Sequence, residues 1–132
     1  MKILVIEDDT PVAMMMVYLL TRAGCDTEVA TTGEEALHMV QAENFDLITL
    51  DVDLPDASGF EICRRLKENP FFQTPIVFVS GRPLESDIRL GLELGVADYI
   101  TKPFGIEFVP RLLSHARNEQ NVCQSSLTIS RK

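Results

Sequence analysis

In the segment DLITLDVDLPDASGF, residues 46–60, an apolar run ends abruptly in clustered acids. Residues 46–50 have the length and composition of a strand that is buried on both faces of a sheet. Asp51 and Asp53 follow directly, and Asp56 comes after them in a stretch with Pro, Ser and Gly. Charge beside a buried core is costly, so the segment raises the question of what these carboxylates meet in the folded protein.

The rest of the chain repeats this alternation of a short apolar run and a longer helical pattern. Further strands are predicted at residues 2–6, 27–30, 75–80 and 97–101. Helices are predicted at residues 10–23, 32–43, 58–67 and 83–95, with a last helix that ends near Arg117. Five β–α units in strict alternation predict an α/β fold, with a parallel sheet covered by helices on both faces.

Local signals place several of the helix starts. Thr10 looks like a cap, with Pro11 in the first turn of the helix that follows. The segments TGEE, residues 32–35, and SGFE, residues 58–61, both have the form of a capping box. Each of these helices therefore follows a strand after a short connection.

Composition limits the classes of function. The 132 residues are enough for one domain with a real core, and 20 acids against 12 bases give a net charge of −8. This charge disfavours direct nucleic-acid binding, which needs clustered Lys and Arg. It is compatible with a bound cation or with a basic protein surface.

Targeting signals and cysteine usage predict a cytoplasmic protein with no membrane partner. No apolar run reaches the length of a membrane span, and the N-terminal MKILVIEDD is unlike a signal peptide. Cys25, Cys63 and Cys123 are scattered, which fits a reducing compartment. We expect residues 1–117 to form the domain and residues 118–132 to form a flexible tail or the start of a linker.

Polar side chains follow four of the predicted strands. Because the carboxyl ends of parallel strands share one edge of the sheet, where ligands bind in such folds, these side chains should meet there. The residues concerned are Glu7, Asp8, Asp9, Asp51, Asp53, Ser80 and Lys102. Taken singly, each has an ordinary reading, such as a solvated loop, a turn or a helix cap. Together they predict an acidic site that contains one hydroxyl and one ammonium group.

Charge repulsion indicates what such a site binds. Two carboxylates about 4 Å apart repel by roughly 4 kcal/mol at an effective dielectric constant near 20, and a domain is stable by only about 5–15 kcal/mol. One lysine neutralises one charge, so a hard divalent cation is the natural remedy. Mg²⁺ prefers oxygen ligands and often shares them with phosphate. A carboxylate beside the ion can then act as a nucleophile and form an aspartyl-phosphate.

These residues resemble the receiver domain of two-component response regulators. The resemblance covers about residues 2–117 and rests on ILVIEDD, DLITLDVDLPDASGFEICRRLK, PIVFVSG and GVADYITKPF, in matching order and spacing. It implies a doubly wound, flavodoxin-like (βα)5 fold with strand order 2-1-3-4-5. It also implies a phosphorylation-dependent signalling switch, with a histidine kinase or phosphotransfer protein as partner. Such a domain is a phosphoacceptor that assists its own phosphorylation and slow dephosphorylation rather than an enzyme.

The resemblance assigns a role to each matching residue. Asp51 corresponds to the phosphoacceptor, Asp8 to a direct Mg²⁺ ligand and Glu7 to a ligand that acts through water. The remaining assignments are the backbone carbonyl of Asp53 as a Mg²⁺ ligand, Ser80 as the switch hydroxyl, Tyr99 as the aromatic switch, and Lys102 as the phosphoryl partner, with a cis bond to Pro103. The expected output face consists of the fourth helix, the fifth strand and the fifth helix.

Several positions vary within the family or depart from its pattern. Asp53 and Arg82 occupy two variable positions, and we hypothesise that they pair and slow the loss of phosphate; a solvated Arg82 is the alternative. Pro110 is acceptable only in a first helical turn, so the last helix should begin no earlier than about Phe108.

The closest resemblance is to receivers of the winged-helix transcription-factor class, which dimerise through the output face. This implies a phosphorylation-dependent homodimer. The candidates for ion pairs across it are Arg89, Glu93, Asp98 and Arg111, with Ala97 where a second acid often stands. The first predicted helix carries more apolar residues than one face needs. Of Met14, Met15 and Met16, one or two could dock a kinase helix, although burial in the core is the simpler reading.

Two other functions fit parts of the pattern. Asp51 and Asp53 also resemble the DxD motif of haloacid-dehalogenase-type phosphatases, but in that family the DxD strand comes first and the paired acids come last. A flavodoxin-like cofactor binder would need a phosphate-cradling loop of Ser, Thr and Gly after the first strand. The acids at residues 7–9 repel phosphate unless a metal intervenes.

Overall fold

A computed structural model describes residues 1–81 and 84–116 of the chain. Strands and helices alternate along these residues. The strands are β1 (Lys2–Ile6), β2 (Asp26–Ala30), β3 (Leu47–Leu50), β4 (Ile76–Ser80) and β5 (Asp98–Thr101). The helices are α1 (Thr10–Arg22), α2 (Gly33–Ala42), α3 (Gly59–Lys67), α4 (Glu85–Glu93) and α5 (Phe108–Leu113).

The five strands form one parallel sheet in the order β2-β1-β3-β4-β5. This confirms the predicted α/β class and the strand order that the resemblance implied. The order reverses between β1 and β3, which are neighbours in the sheet. The carboxyl ends of these two strands therefore flank the crevice in which doubly wound folds bind ligands.

The core has two layers because successive residues of each strand point to opposite faces. On one face, Leu4, Ile48 and Phe78 pack with residues of α2, α3 and α4. On the other face, Val5 and Val77 pack with residues of α1 and α5. Burial on both faces explains why β3 and β4 are apolar almost throughout, as their sequences predicted.

Two helix boundaries differ from the sequence prediction. Asp9, and not Thr10, caps α1, and its side chain accepts a hydrogen bond from the Val12 amide. The last helix begins at Phe108 as predicted, but it ends at Leu113 and not near Arg117, which lies outside the described residues. The chain tightens after Leu113 because the amides of residues 115 and 116 bond three residues back, as is common at helix ends.

The two predicted capping boxes form only in part. Thr32 caps α2 and accepts from the Glu35 amide, while the Glu35 carboxylate accepts from the Thr31 amide, one residue before the cap. Ser58 caps α3 through the Phe60 amide. The carboxylate of its expected partner, Glu61, instead binds Arg64 one turn along the helix.

Several predictions concern residues outside the described part of the chain. They are the pairing of Arg82 with Asp53, the helix start at Pro83, the position of Cys123, and the boundary between residues 1–117 and the tail at residues 118–132.

Candidate functional site

The first component of the site is the acidic turn that follows β1. The Glu7 amide extends the sheet by donating to the Ala30 carbonyl at 3.0 Å, and this holds the Glu7 side chain at 2% exposure. Asp8 points to solvent. The Asp9 amide donates to Glu7 Oε2 at 3.2 Å, and its own carboxylate caps α1. The three acids predicted as one group therefore have three different environments.

Asp51 lies at the end of β3, beside this turn. Its amide donates to the Ile6 carbonyl at 3.0 Å, which continues the pairing of β3 with β1, and its side chain is buried. The Asp53 amide donates to Asp51 Oδ1 at 3.3 Å. Gly59 allows α3 to begin close to the strand, because a side-chain carbon at this position would collide with the Asp51 carbonyl oxygen.

Lys102 supplies the positive charge, from the segment that follows β5. Its ammonium Nζ lies 2.7 Å from Glu7 Oε1 and 3.6 Å from Asp51 Oδ2. Its amide donates to the Ser80 carbonyl at 2.8 Å, so β4 holds the segment in place. The Lys102–Pro103 peptide bond is cis, as the resemblance implied. The structure thus brings together the side chains of Glu7, Asp51 and Lys102, from three of the four strand ends that the sequence predicted to converge.

Burial and neighbouring charge decide the ionisation of this cluster. The pKa of Glu7 is raised to about 7, chiefly by burial; the hydrogen bond from Lys102 lowers it, and the neighbouring Asp51 raises it. Burial lowers the pKa of Lys102, but its contacts with Glu7 and Asp51 outweigh burial, so the net shift is upward. The site therefore favours the charged form of Lys102 and disfavours the charged form of Glu7.

Three carboxylates lie close enough together to hold a divalent cation. Glu7, Asp8 and Asp51 each offer one oxygen, and these oxygens lie within 4.8 Å of one another. An all-oxygen set of three carboxylates near a partly buried lysine suits a hard ion such as Mg²⁺ better than a softer metal. The donor set therefore fits the ion that the sequence predicted.

Ser80 and Tyr99 are buried residues of β4 and β5. Ser80 is the last residue of β4 and is fully buried. Tyr99 pairs with Phe78 in the register of β4 and β5, and the ring centroids of these two residues are 5.9 Å apart. Tyr99 is only 6% exposed, so it is buried in this structure.

The predicted dimer residues divide into two groups. Asp98 and Arg111 bind each other within the chain, through two hydrogen bonds of 2.7 and 2.8 Å, and His115 Nε2 lies 3.0 Å from Asp98. Hydrogen bonds from Arg111 lower the pKa of Asp98 to about 2, although partial burial opposes them. Arg89 and Glu93 lie on the exposed side of α4, where Arg89 contacts Glu85 at 3.0 Å.

The three methionines of α1 differ in their exposure to solvent. Met16 is 1% exposed and belongs to the core, whereas Met14 and Met15 are 67% and 46% exposed. Tyr18, which is 58% exposed, extends the same surface. A pocket of about 420 Å³ lies between this helix and β2, and Ala13, Met14, Val17, Tyr18 and Val29 form most of its wall. Its edge reaches Glu7, so an apolar surface adjoins the acidic site.

Two acids have structural roles that the sequence interpretation missed. Asp9 caps α1, and a local signal was available, because Asp is at least as good a cap as the Thr10 that follows it. Asp56 was interpreted as a loop residue, but its carboxylate accepts hydrogen bonds from the Gly33 and Glu34 amides of α2. No local pattern reveals this contact, since the residues are far apart in the chain.

Within residues 1–81 and 84–116, no helix has both the length and the apolar character needed to cross a lipid bilayer.

Comparison with known proteins gives consistent matches. Residues 3–114 match the family described as Response regulator receiver domain. The Bacillus subtilis alkaline phosphatase synthesis transcriptional regulatory protein PhoP is 44% identical over 103 residues, which cover 78% of this chain and 42% of PhoP. The chain thus spans less than half the length of this curated relative.

Solved structures support the same assignment. The beryllofluoride-activated N-terminal receiver domain of Klebsiella pneumoniae RstA is 32% identical with a TM-score of 0.82, over 87% of this chain and 97% of that one. The receiver domain of the Francisella response regulator 1452 is 30% identical with a TM-score of 0.82, over 92% and 98% of the two chains. None of these relatives supports a haloacid-dehalogenase-type phosphatase. The chain therefore belongs to the family of response regulator receiver domains.

Proposed function

We propose that this domain accepts a phosphoryl group on Asp51 and changes its output face in response. The observation that carries the proposal is the buried cluster in which Lys102 Nζ lies 2.7 Å from Glu7 and 3.6 Å from Asp51. A buried carboxylate beside a fixed ammonium group and further acids suits phosphoryl transfer, which depends on positioning and on charge stabilisation.

In the proposed reaction, a carboxylate oxygen of Asp51 attacks the phosphorus of a phosphohistidine in line with the P–N bond. A P–O bond forms, the P–N bond breaks, and the imidazole leaves with the electron pair and takes up a proton from water. Asp8, Asp51, the backbone carbonyl of Asp53 and, through water, Glu7 would hold Mg²⁺. When bound, this ion supplies the positive charge that offsets the carboxylates and the phosphoryl oxygens.

Lys102 and Ser80 supply contacts that exist only after transfer. The ammonium group pairs with a phosphoryl oxygen, and the Ser80 hydroxyl turns toward another, which makes space for the Tyr99 ring. Because these contacts favour one of two packings, phosphorylation shifts the population of α4, β5 and α5. The domain thus assists its own phosphorylation and its slow dephosphorylation, and it acts as a switch rather than as an enzyme with turnover.

The proposed partner is a histidine kinase or phosphotransfer protein, which docks a helix on α1. Support comes from the exposed surface of Met14, Met15 and Tyr18, which borders the acidic site. Flexible methionine side chains suit a surface that adapts to a partner helix. We place this exchange in the cytoplasm.

Phosphotransfer to matched variants tests the central claim. Wild type, Asp51→Asn and Asp53→Asn are incubated with Mg²⁺ and phosphoramidate, a small donor with a P–N bond. Wild type and Asp53→Asn should gain one phosphoryl group by mass, labile to hydroxylamine, and Asp51→Asn should gain none. A labelled Asp51→Asn protein, or an unlabelled wild type, would overturn the proposal.

A second measurement concerns the lifetime of the phosphoryl group. We propose that Arg82 pairs with Asp53 and shields the acyl phosphate from water. Arg82→Ala should then lose phosphate faster than wild type, whereas Arg22→Ala, which removes a cation that contacts Tyr18 on α1, should not. Equal rates for wild type and Arg82→Ala would exclude this role.

A further inference from the structure

Asp56 joins the loop after β3 to the start of α2. Its Oδ1 accepts from the Gly33 amide at 2.8 Å, and its Oδ2 accepts from the Glu34 amide at 3.0 Å. The first amides of a helix have no partner within the helix, so both bonds satisfy groups that would otherwise need water. The third such amide, that of Glu35, is bound locally by Thr32. The start of α2 is therefore capped twice, once by the adjacent Thr32 and once by the distant Asp56.

The contact depends on a close approach of α2 to the loop and to α3. A side-chain carbon at Gly33 would lie 2.5 Å from Ile62 Cδ1 and 3.4 Å from Asp56 Oδ1. The absence of a side chain at residue 33 thus lets both neighbours approach. Hydrogen bonds from the Gly33 and Glu34 amides lower the pKa of Asp56, which keeps the carboxylate charged at the positive end of the helix dipole.

The other end of the same loop is fixed beside Asp51. The Gly59 amide donates to the Val52 carbonyl at 2.7 Å, and Asp53 forms an antiparallel bridge with Ser58. The Asp53 amide also contacts Asp51 Oδ1 at 3.3 Å. Residues 53–58 are therefore closed at their base by backbone contacts and held at their tip by Asp56.

We propose that Asp56 is a positioning residue for phosphoryl transfer: it fixes the loop so that the Asp53 backbone is in place before Mg²⁺ binds. This inference rests on the proposed function, in which the Asp53 carbonyl is a Mg²⁺ ligand. If the loop is already ordered in the metal-free protein, Mg²⁺ binding does not bear the entropic cost of ordering it. The affinity for the ion is then higher without any additional contact. Asp56 acts on the ion through Asp53 and touches neither the ion nor the phosphoryl group.

The simpler explanation is that Asp56 only stabilises α2. A variant of Thr32 distinguishes this explanation from the proposed role in positioning the loop. Thr32→Ala removes a cap from the same helix start, but among the described residues the Thr32 hydroxyl bonds the Glu35 amide and no residue of the loop. Asp56→Ala removes both the cap and the link to the loop. Asp56→Asn keeps one acceptor oxygen, so it should have an intermediate effect and remain useful if Asp56→Ala folds poorly.

The first readout needs no metal. Amide hydrogen exchange in the metal-free proteins should accelerate at Asp53 and Gly59 in Asp56→Ala, whereas Thr32→Ala should affect the first turn of α2 alone. The second readout is Mg²⁺ affinity by calorimetry, which Asp56→Ala should weaken about tenfold, the lower end for residues that orient metal ligands. The phosphorylation rate from phosphoramidate should then fall at low Mg²⁺ and recover at saturating Mg²⁺.

Two results would contradict the inference, and they differ from a failure of the proposed function. If Asp56→Ala and Thr32→Ala weaken Mg²⁺ binding equally, or if both leave it unchanged, Asp56 is only a helix cap. If the rate of Asp56→Ala stays low at saturating Mg²⁺, the residue does not act through the ion. A wild-type protein that neither binds Mg²⁺ nor gains a phosphoryl group would instead overturn the proposed function itself.

Discussion

At the scale of single residues, the site combines more negative charge than its lysine neutralises. Lys102 lies closer to Glu7 than to Asp51, although Asp51 is the proposed nucleophile. The raised pKa of Glu7, about 7, reflects burial first and the neighbouring Asp51 second. Glu7 therefore holds the ammonium group in position more closely than Asp51 does. The arrangement favours reaction at the expense of stability.

Removing this repulsion should stabilise the protein. Without Mg²⁺ at neutral pH, Asp51→Asn should raise the free energy of unfolding by about 1 kcal/mol, because one buried charge beside Glu7 is lost. Added Mg²⁺ should stabilise wild type and have little effect on the variant. Urea denaturation with and without Mg²⁺ measures both effects. Asp26→Asn, an exposed change of equal charge at the opposite edge of the sheet, should change neither quantity.

The Asp98–Arg111 pair predicts a dependence of stability on pH. The pKa of Asp98 falls to about 2, mainly through Arg111, so its contribution is present above its unfolded-state pKa of about 3.9 and is lost as pH falls toward 2. After solvent screening, Asp98→Asn should cost about 1 kcal/mol at pH 7. Its difference from wild type should shrink below about pH 4.

Chemical denaturation between pH 3 and pH 7 measures this difference. Glu85→Gln, which breaks the exposed pair with Arg89, should have little effect at any of these pH values. A constant deficit for Asp98→Asn down to pH 3 would mean that packing, and not the ion pair, accounts for the loss.

At the scale of secondary-structure elements, the starts of the helices show that caps need not come from the nearest hydroxyl. Asp9 caps α1 although Thr10 and Pro11 follow in a pattern typical of a helix start. Asp56 reaches α2 from another loop. Both acids belong to the connections that surround the site, so the loops that carry the site are also the loops that fix the helices.

The cap of α1 can be tested with adjacent residues. Asp9→Ala should lower the free energy of unfolding by about 1 kcal/mol, because the Val12 amide loses its acceptor. Asp9→Asn keeps the acceptor and removes the charge, so it should cost less. Thr10→Ala should cost little, since Thr10 already lies within the helix. If Thr10→Ala proves the more damaging change in thermal or urea denaturation, Thr10 is the cap.

The sequence predicts most of this architecture because its signals are local. The length and apolar composition of β3 and β4 predicted these strands correctly. Pro110 predicted the start of α5 correctly. The convergence of Glu7, Asp51 and Lys102 followed from parallel topology alone. The Asp56 contact and the intrachain pairing of Asp98 depend on tertiary distances between distant residues, which no local pattern encodes.

At the scale of the whole molecule, one pair of rings joins the site to the output face. Phe78 lies two residues before Ser80 in β4, and its ring packs 5.9 Å from that of Tyr99 in β5. A side-chain carbon at Gly91 of α4 would lie 3.1 Å from Phe78 and 3.3 Å from Tyr99. Because this packing is so close, neighbouring side chains cannot accommodate a movement of Ser80 or Tyr99. We therefore expect such a movement to shift α4.

The exposed surfaces of α1 and α4 should therefore have separable functions. Leu92 on α4 is 53% exposed and Met14 on α1 is 67% exposed, so replacing either by Asp should change stability by less than about 0.5 kcal/mol. With Mg²⁺ and beryllofluoride, wild type and Met14→Asp should form dimers in concentration-dependent sedimentation. Leu92→Asp should stay monomeric, because a charge enters the proposed interface of α4, β5 and α5.

Phosphotransfer should show the opposite pattern. Met14→Asp should slow transfer from a phosphorylated histidine phosphotransfer helix by about tenfold or more, since losing one apolar anchor at an interface costs over 1 kcal/mol. It should leave labelling by phosphoramidate unchanged, because that donor needs no docking surface, and Leu92→Asp should leave both rates unchanged. If both variants impair both processes, docking and output share one surface. The division of this molecule into a docking surface on α1 and an output face of α4, β5 and α5 is then wrong.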